Sequence, residues 1–210
     1  MQSVINIVLP VFAIILSGYL AGSLKLLGEG SGEVLQRFVF YIAMPVLLFY
    51  AIARVEVAEI LNWPYLSAYL GGQTITFILA LFVAKFLLKK QLAESALSSM
   101  AGIYGNTGYM GIPLAIAAFG DDAALPAIVA AIISVLSITL AIIPIEISRQ
   151  EKSQIFKVIG KIIFAVITNP MLVAPFAALV WAATGLGLAE PVEKFTGILG
   201  AAAGPCALFA

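Results

Sequence analysis

The chain has 210 residues, 62% of them hydrophobic and 10% charged, against about 45–50% apolar and about 25% charged in a soluble domain. Eleven basic and eleven acidic residues cancel, which leaves no nucleic-acid footprint and no solvating acidic tail. These proportions exclude a water-soluble fold and name the lipid bilayer as the partner. Histidine is absent, so imidazole metal sites, histidine general bases and histidine-activated nucleophiles are excluded with it. No cofactor and no metal site are expected, and the single cysteine, Cys206, has no second thiol in the chain to pair with.

A bilayer-spanning helix needs about 20 apolar residues. Long uncharged runs at 4–24, 38–53, 64–84, 95–120, 123–145, 158–184 and 195–210 predict seven spans. The first run lacks a preceding basic residue and a small-residue cleavage site, so it is expected to stay as a permanent helix. The second is short, and Val34, Leu35 and the stem of Arg37 extend it to the interface. Lys25, Arg37, Lys85, Lys89, Lys90, Arg149, Lys152, Lys157 and Lys161 fall on one side of the membrane, and Arg54 and Lys194 on the other. The positive-inside rule then puts the first group in the cytoplasm and the amino terminus outside. The expected location is the inner (plasma) membrane, with Trp63 and Tyr65 at its outer interface.

The chain resembles itself at an offset of 160 residues: Pro10 matches Pro170, Glu33 matches Glu193, Ala43 matches Ala203, and Pro45-x-x-Leu48-Phe49 matches Pro205-x-x-Leu208-Phe209. Proline inside a helix removes a hydrogen bond and costs about 3 kcal/mol unless its surroundings compensate, so two matched prolines carry weight. Five spans separate the copies, and an odd number inverts the second copy in the membrane, as in secondary transporters with a midplane substrate site. The expected division is 1–147 as a first five-span repeat, 148–157 as a short cytoplasmic loop and 158–210 as the opening of the second repeat. On this reading the seven helices belong to a truncated chain.

The fourth run reads Gly102-Ile103-Tyr104-Gly105-Asn106-Thr107-Gly108-Tyr109-Met110-Gly111-Ile112-Pro113. Each glycine costs a helix about 1 kcal/mol and proline about 3, so a continuous helix is not expected here. Irregular backbone at membrane depth is tolerated where it lines a cavity or is buried in protein. A break would also aim the positive end of a half-helix at the midplane, where it suits an anionic substrate. The expected substrate-binding residues are Asn106, Thr107 and Tyr109, with Gly105, Gly108, Gly111, Pro113 and Pro45 as crossover and hinge. The competing reading makes the glycines packing contacts and Pro113 a simple kink.

The run Asn106-Thr107-x-x-Met110-Gly111-Ile112-Pro113 resembles the signature of the auxin efflux carrier family, which includes the plant PIN-formed auxin exporters and bacterial permeases for organic acids. Phe38 to Phe49 and Pro205 to Ala210 are similar to its proline-kinked second helix and that helix's counterpart. The resemblance implies an all-α membrane fold of ten helices in two inverted five-helix repeats with a broken crossover helix. It also implies that Asn106 binds a substrate carboxylate and that Pro113 marks the crossover. The short fifth loop, and Gly108 and Tyr109 where the plant motif has aliphatic residues, favour a dicarboxylate such as malate or malonate over an auxin-like acid.

A secondary active transporter of small organic anions is therefore expected. Proton or sodium coupling and a homodimer are left open, because the spans hold almost no ionisable residue. Asp121 and Asp122 are expected in a solvated turn, Glu146 in a pair with Arg149, and Gln73, Thr74, Thr76, Ser134, Ser137 and Asn169 mostly in bonds across helices. The alternatives are a non-transporting membrane subunit, which would have no use for a costly broken segment, and an intramembrane enzyme, for which the spans lack an acid or base.

Overall fold

The computed structural model describes residues 2–60, 62–120, 123–149, 160, 163–164 and 167–210, and every regular element among the described residues is helical. Helix α1 is Gln2–Ser23, α2 Ser31–Phe38, α3 Met44–Ala53, α4 Val57–Ile60 and α5 Trp63–Phe82. They are followed by α6 Leu92–Ile103, α7 Ile112–Phe119, α8 Ala124–Arg149, α9 Pro170–Ala183, α10 Glu190–Ala201 and α11 Ala203–Phe209. Asp121, Asp122 and residues 150–159 lie outside the described set, as do the side chains of Glu146 and Arg149. Tyr19, Phe119, Val180 and Ile198 are each at least 70% exposed, a surface that suits hydrocarbon better than water.

Several expected boundaries move. The second span starts at Ser31 rather than 38 and runs 23 residues to Ala53, about 34 Å at the α-helical rise. Arg37 lies inside α2, as the extension of that span to its stem requires, and its guanidinium donates to the Glu33 carboxylate at 2.6 Å. The last span begins at Glu190, five residues before the uncharged run, because Pro191 near its start suits an N-terminal turn that lacks N–H partners. At α5, the Asn62 side chain accepts the Tyr65 N–H at 3.1 Å and Pro64 occupies the first turn, so cap and proline together fix where that span starts.

A proline follows two of the three π-helical turns among the described residues, while the third, Val83–Leu87, has none. Val39–Ala43 and Thr107–Gly111 are π-helical turns, and in each case the proline, Pro45 or Pro113, is the second residue of the helix that follows. A proline has no N–H and its ring crowds the carbonyl four residues back; the wider π turn opens the ladder at that point. In the last span the helix lapses at Ala202, three residues before Pro205. The matched pair Pro10 and Pro170 differs, since Pro10 lies inside α1 whereas Pro170 opens α9.

The chain forms two compact units, 1–60 with 106–131 and 173–210, and 61–105 with 132–172. They are packing groups, a different kind of division from the sequence repeats. In the first unit α3 lies along α10, and α11 packs against α1, α2 and the Thr107–Gly111 turn. Its core includes Val39, Ala43, Met44, Leu48, Ile52, Ile112 and Ala203, all buried. In the second unit α5 packs along α6. There the Gln73 amide donates to Ser134 Oγ at 3.1 Å, Ser137 donates to Gln73 Oε1 at 2.6 Å, and Tyr69 shares a 3.1 Å bond with Ser134. Two expected cross-helix bonds are local instead. Thr76 donates to Gly72 of its own helix at 2.8 Å, and the Asn169 side chain accepts the Met171 N–H at 2.9 Å as a cap on α9.

Candidate functional site

The fourth run is interrupted. Helix α6 stops at Ile103, where Tyr104 turns extended (φ −80°, ψ 97°), and Asn106 (φ −76°, ψ 56°) leads into the π turn. Tyr104, Gly105 and Asn106 belong to no helix. The Asn106 carbonyl accepts the N–H groups of Met110 at 3.2 Å and Gly111 at 2.9 Å, which anchors the start of the new segment. A methyl group on Gly111 would lie an ordinary 3.5 Å from that carbonyl oxygen, so the turn has room for a small side chain there.

Within the first unit, a cavity of 680 Å³ is lined in part by the far end of this segment, a size within the ~300–1,000 Å³ range of small-molecule sites. Ile112, Pro113 and Ile116 of α7 form one side. Leu47, Tyr50, Ala51 and Arg54, at helical spacing, form the face that α3 presents. Opposite them stand Gly197, Gly200, Gly204 and Pro205 of the last span.

The glycines set the helix separations around this space. A methyl group on Gly200 would lie 2.9 Å from Leu47 Cα, one on Gly197 3.3 Å from the Tyr50 ring, and one on Gly204 3.0 Å from Pro113 Cγ. Small residues at such spacing let membrane helices approach closely. Gly18, where a methyl group would lie 1.9 Å from the Phe209 carbonyl oxygen, does the same between α1 and α11.

Arg54 carries the sole formal charge among the lining residues. Its Nε lies 2.9 Å from Glu193 Oε1 of α10, and its guanidinium sits 4.5 Å from the centroid of the Tyr50 ring. The stacked ring and the carboxylate together hold the cation at the cavity wall.

Of the residues singled out in the sequence, Pro113 lines this cavity; Asn106, Thr107, Gly105, Gly108, Gly111 and Pro45 do not, and the side chain of Tyr109 lies outside the described set. Asn106 is exposed, Thr107 is half-buried at the head of the π turn, and Pro45 is buried. Tyr109, Gly108 and Gly111 lie within the π turn, and Gly105 lies in the interruption. Gly102 is exposed in the last turn of α6, and a methyl group there would lie an ordinary 3.8 Å from Ala80 Cβ. The spacing Gly197-x-x-Gly200-x-x-x-Gly204 was the available signal for the glycine wall. Arg54 had none beyond being a lone cation at a span end.

A family model described as membrane transport protein matches residues 3–210. The chain is similar to a protein of Rhizobium meliloti named "Putative malonate transporter", 31% identical over 212 residues that cover 100% of this chain and 66% of that protein. It is also similar to an uncharacterized transporter of Methanocaldococcus jannaschii, 30% identical over 125 residues that cover 56% of this chain and 39% of that one. The chain thus spans just under two thirds of the first relative's length.

Proposed function

The chain belongs to the auxin efflux carrier family of membrane transport proteins, and from that premise we propose that it carries small organic anions, with a dicarboxylate such as malonate as the substrate class. The observation that carries the proposal is the interrupted fourth span, whose second half, through Pro113, reaches the wall of a cavity. Unwound backbone flanked by half-helices is how secondary carriers meet charged substrates near the midplane. The name of the R. meliloti relative supports the choice of anion.

In this reading Asn106 and Thr107 meet the substrate, Tyr109 stands beside them, and Gly105, Gly108, Gly111, Pro113 and Pro45 let the segments rock. The mechanism is alternating access in a ten-helix carrier of two inverted repeats, with the amino terminus outside the inner membrane. The irregular turns ahead of Pro45 and Pro205 support the repeat, since both matched spans lose α geometry just before the matched proline.

The test is counterflow of labelled malonate in vesicles. Asn106→Ala is expected to abolish it while the protein inserts normally. Transport by that variant at the unsubstituted rate would sink the site assignment.

A further inference from the structure

An anion entering a cavity with apolar walls leaves water behind, and its charge must be met inside. Tyr50 and Arg54 are the side chains with polar groups among the lining residues, and only Arg54 is charged. A guanidinium presents five N–H donors in a planar fork. The Glu193 carboxylate meets it at Nε, and one carboxylate leaves some of the five donors for another. The Tyr50 ring, itself against Gly197, fixes the plane of the fork.

We propose that Arg54 is the anion-binding group of this cavity, and that Glu193 occupies it as an internal carboxylate until a substrate carboxylate takes its place. The proposal rests on the reading of the chain as an organic-anion carrier and adds a charge-recognition residue to it. Exchange is easy on three counts. Both partners are partly exposed, with side-chain exposures of 45% and 38%, and a pair in that setting is weak. Glu193 lies in the first turn of α10, so the helix N-terminus supports its charge after it lets go. Arg54 caps the carboxyl end of α3, where a cation is favoured with or without its partner.

A purely structural link between the second and last spans makes a different prediction from competition. Loss of either partner would then shift anion binding in the same direction. Under competition the two directions are opposite. Removing the cation weakens binding, and neutralising the internal carboxylate strengthens it.

The experiment labels the full-length protein in vesicles with phenylglyoxal, an arginine reagent, and follows Arg54 by peptide mass spectrometry with malonate, succinate or benzoate present. At least one of these carboxylates is expected to slow the modification of Arg54. Glu193→Gln is expected to lower its half-protecting concentration about fivefold, the scale of one weak competing ion pair. In counterflow, Arg54→Gln is expected to raise the half-saturating concentration about tenfold, the scale of a lost charged hydrogen bond. Arg54→Lys should recover part of that loss. Protection by none of the three anions, or shifts of Glu193→Gln and Arg54→Gln in the same direction, overturns the proposal. Protection of Arg54 without counterflow in the unsubstituted protein upholds the anion site and instead refutes the carrier reading.

Discussion

The cavity wall and the polar cluster of α5 and α8 hold helices together by opposite means. Around the cavity, Gly197, Gly200 and Gly204 let α3 and α7 come close because they carry no side chain. In the cluster, Tyr69, Gln73, Ser134 and Ser137 join α5 to α8 through hydrogen bonds. The first arrangement is sensitive to atoms added and the second to polar atoms removed. One keeps a space open, and the other only has to keep two helices side by side.

Substitution in the two regions tests that contrast, and unfolding in detergent reads all three variants. The largest effect is expected from Gly200→Leu, whose first side-chain carbon would meet Leu47 backbone at 2.9 Å; overpacking of that severity costs about 3 kcal/mol. Gln73→Leu should cost less, about 1 kcal/mol, since cross-helix hydrogen bonds in membranes average about 0.6 each. Its shape is nearly kept and only the bonds to Ser134 and Ser137 go. Gly102→Ala is expected to reverse the sign. Its methyl group would find Ala80 at an ordinary 3.8 Å, and the gain in helix propensity is about 0.5 kcal/mol. A silent Gly200→Leu, or a Gln73→Leu more costly than Gly200→Leu, would erase the distinction between the two regions, and a destabilising Gly102→Ala would show that α6 does not tolerate added atoms either.

The all-helical character was legible in the sequence because the bilayer demands long apolar runs, and the interruption near Asn106 was legible because glycine and proline are poor helix formers wherever they stand. The π turns ahead of Pro45 and Pro113 were not. A proline says that the ladder must open but not whether it opens by a wider turn, a kink or a lapse, and Pro10, Pro45 and Pro205 each differ. The cavity was hidden for another reason: its walls come from segments more than sixty residues apart, Leu47, Pro113 and Gly200 among them, and no local pattern reports on such a meeting. Gly102 stood in the same glycine run as Gly105, Gly108 and Gly111, yet it lies within α6, before the break rather than in it.

The π turn at Val39–Ala43 also has a consequence for helical phase. A straight α-helix advances about 100° per residue, and a π turn absorbs one extra residue per turn. Counted along an uninterrupted helix, the nine residues from buried Val39 to buried Leu48 would put them about 180° apart. The extra residue takes back about 100° of that angle, so the buried stripe continues past the proline instead of jumping to the far side. The same offset decides which way Leu47, Tyr50 and Arg54 face. Deleting one residue between Val39 and Ala43 would rotate that whole face away from the last span without changing any side chain on it.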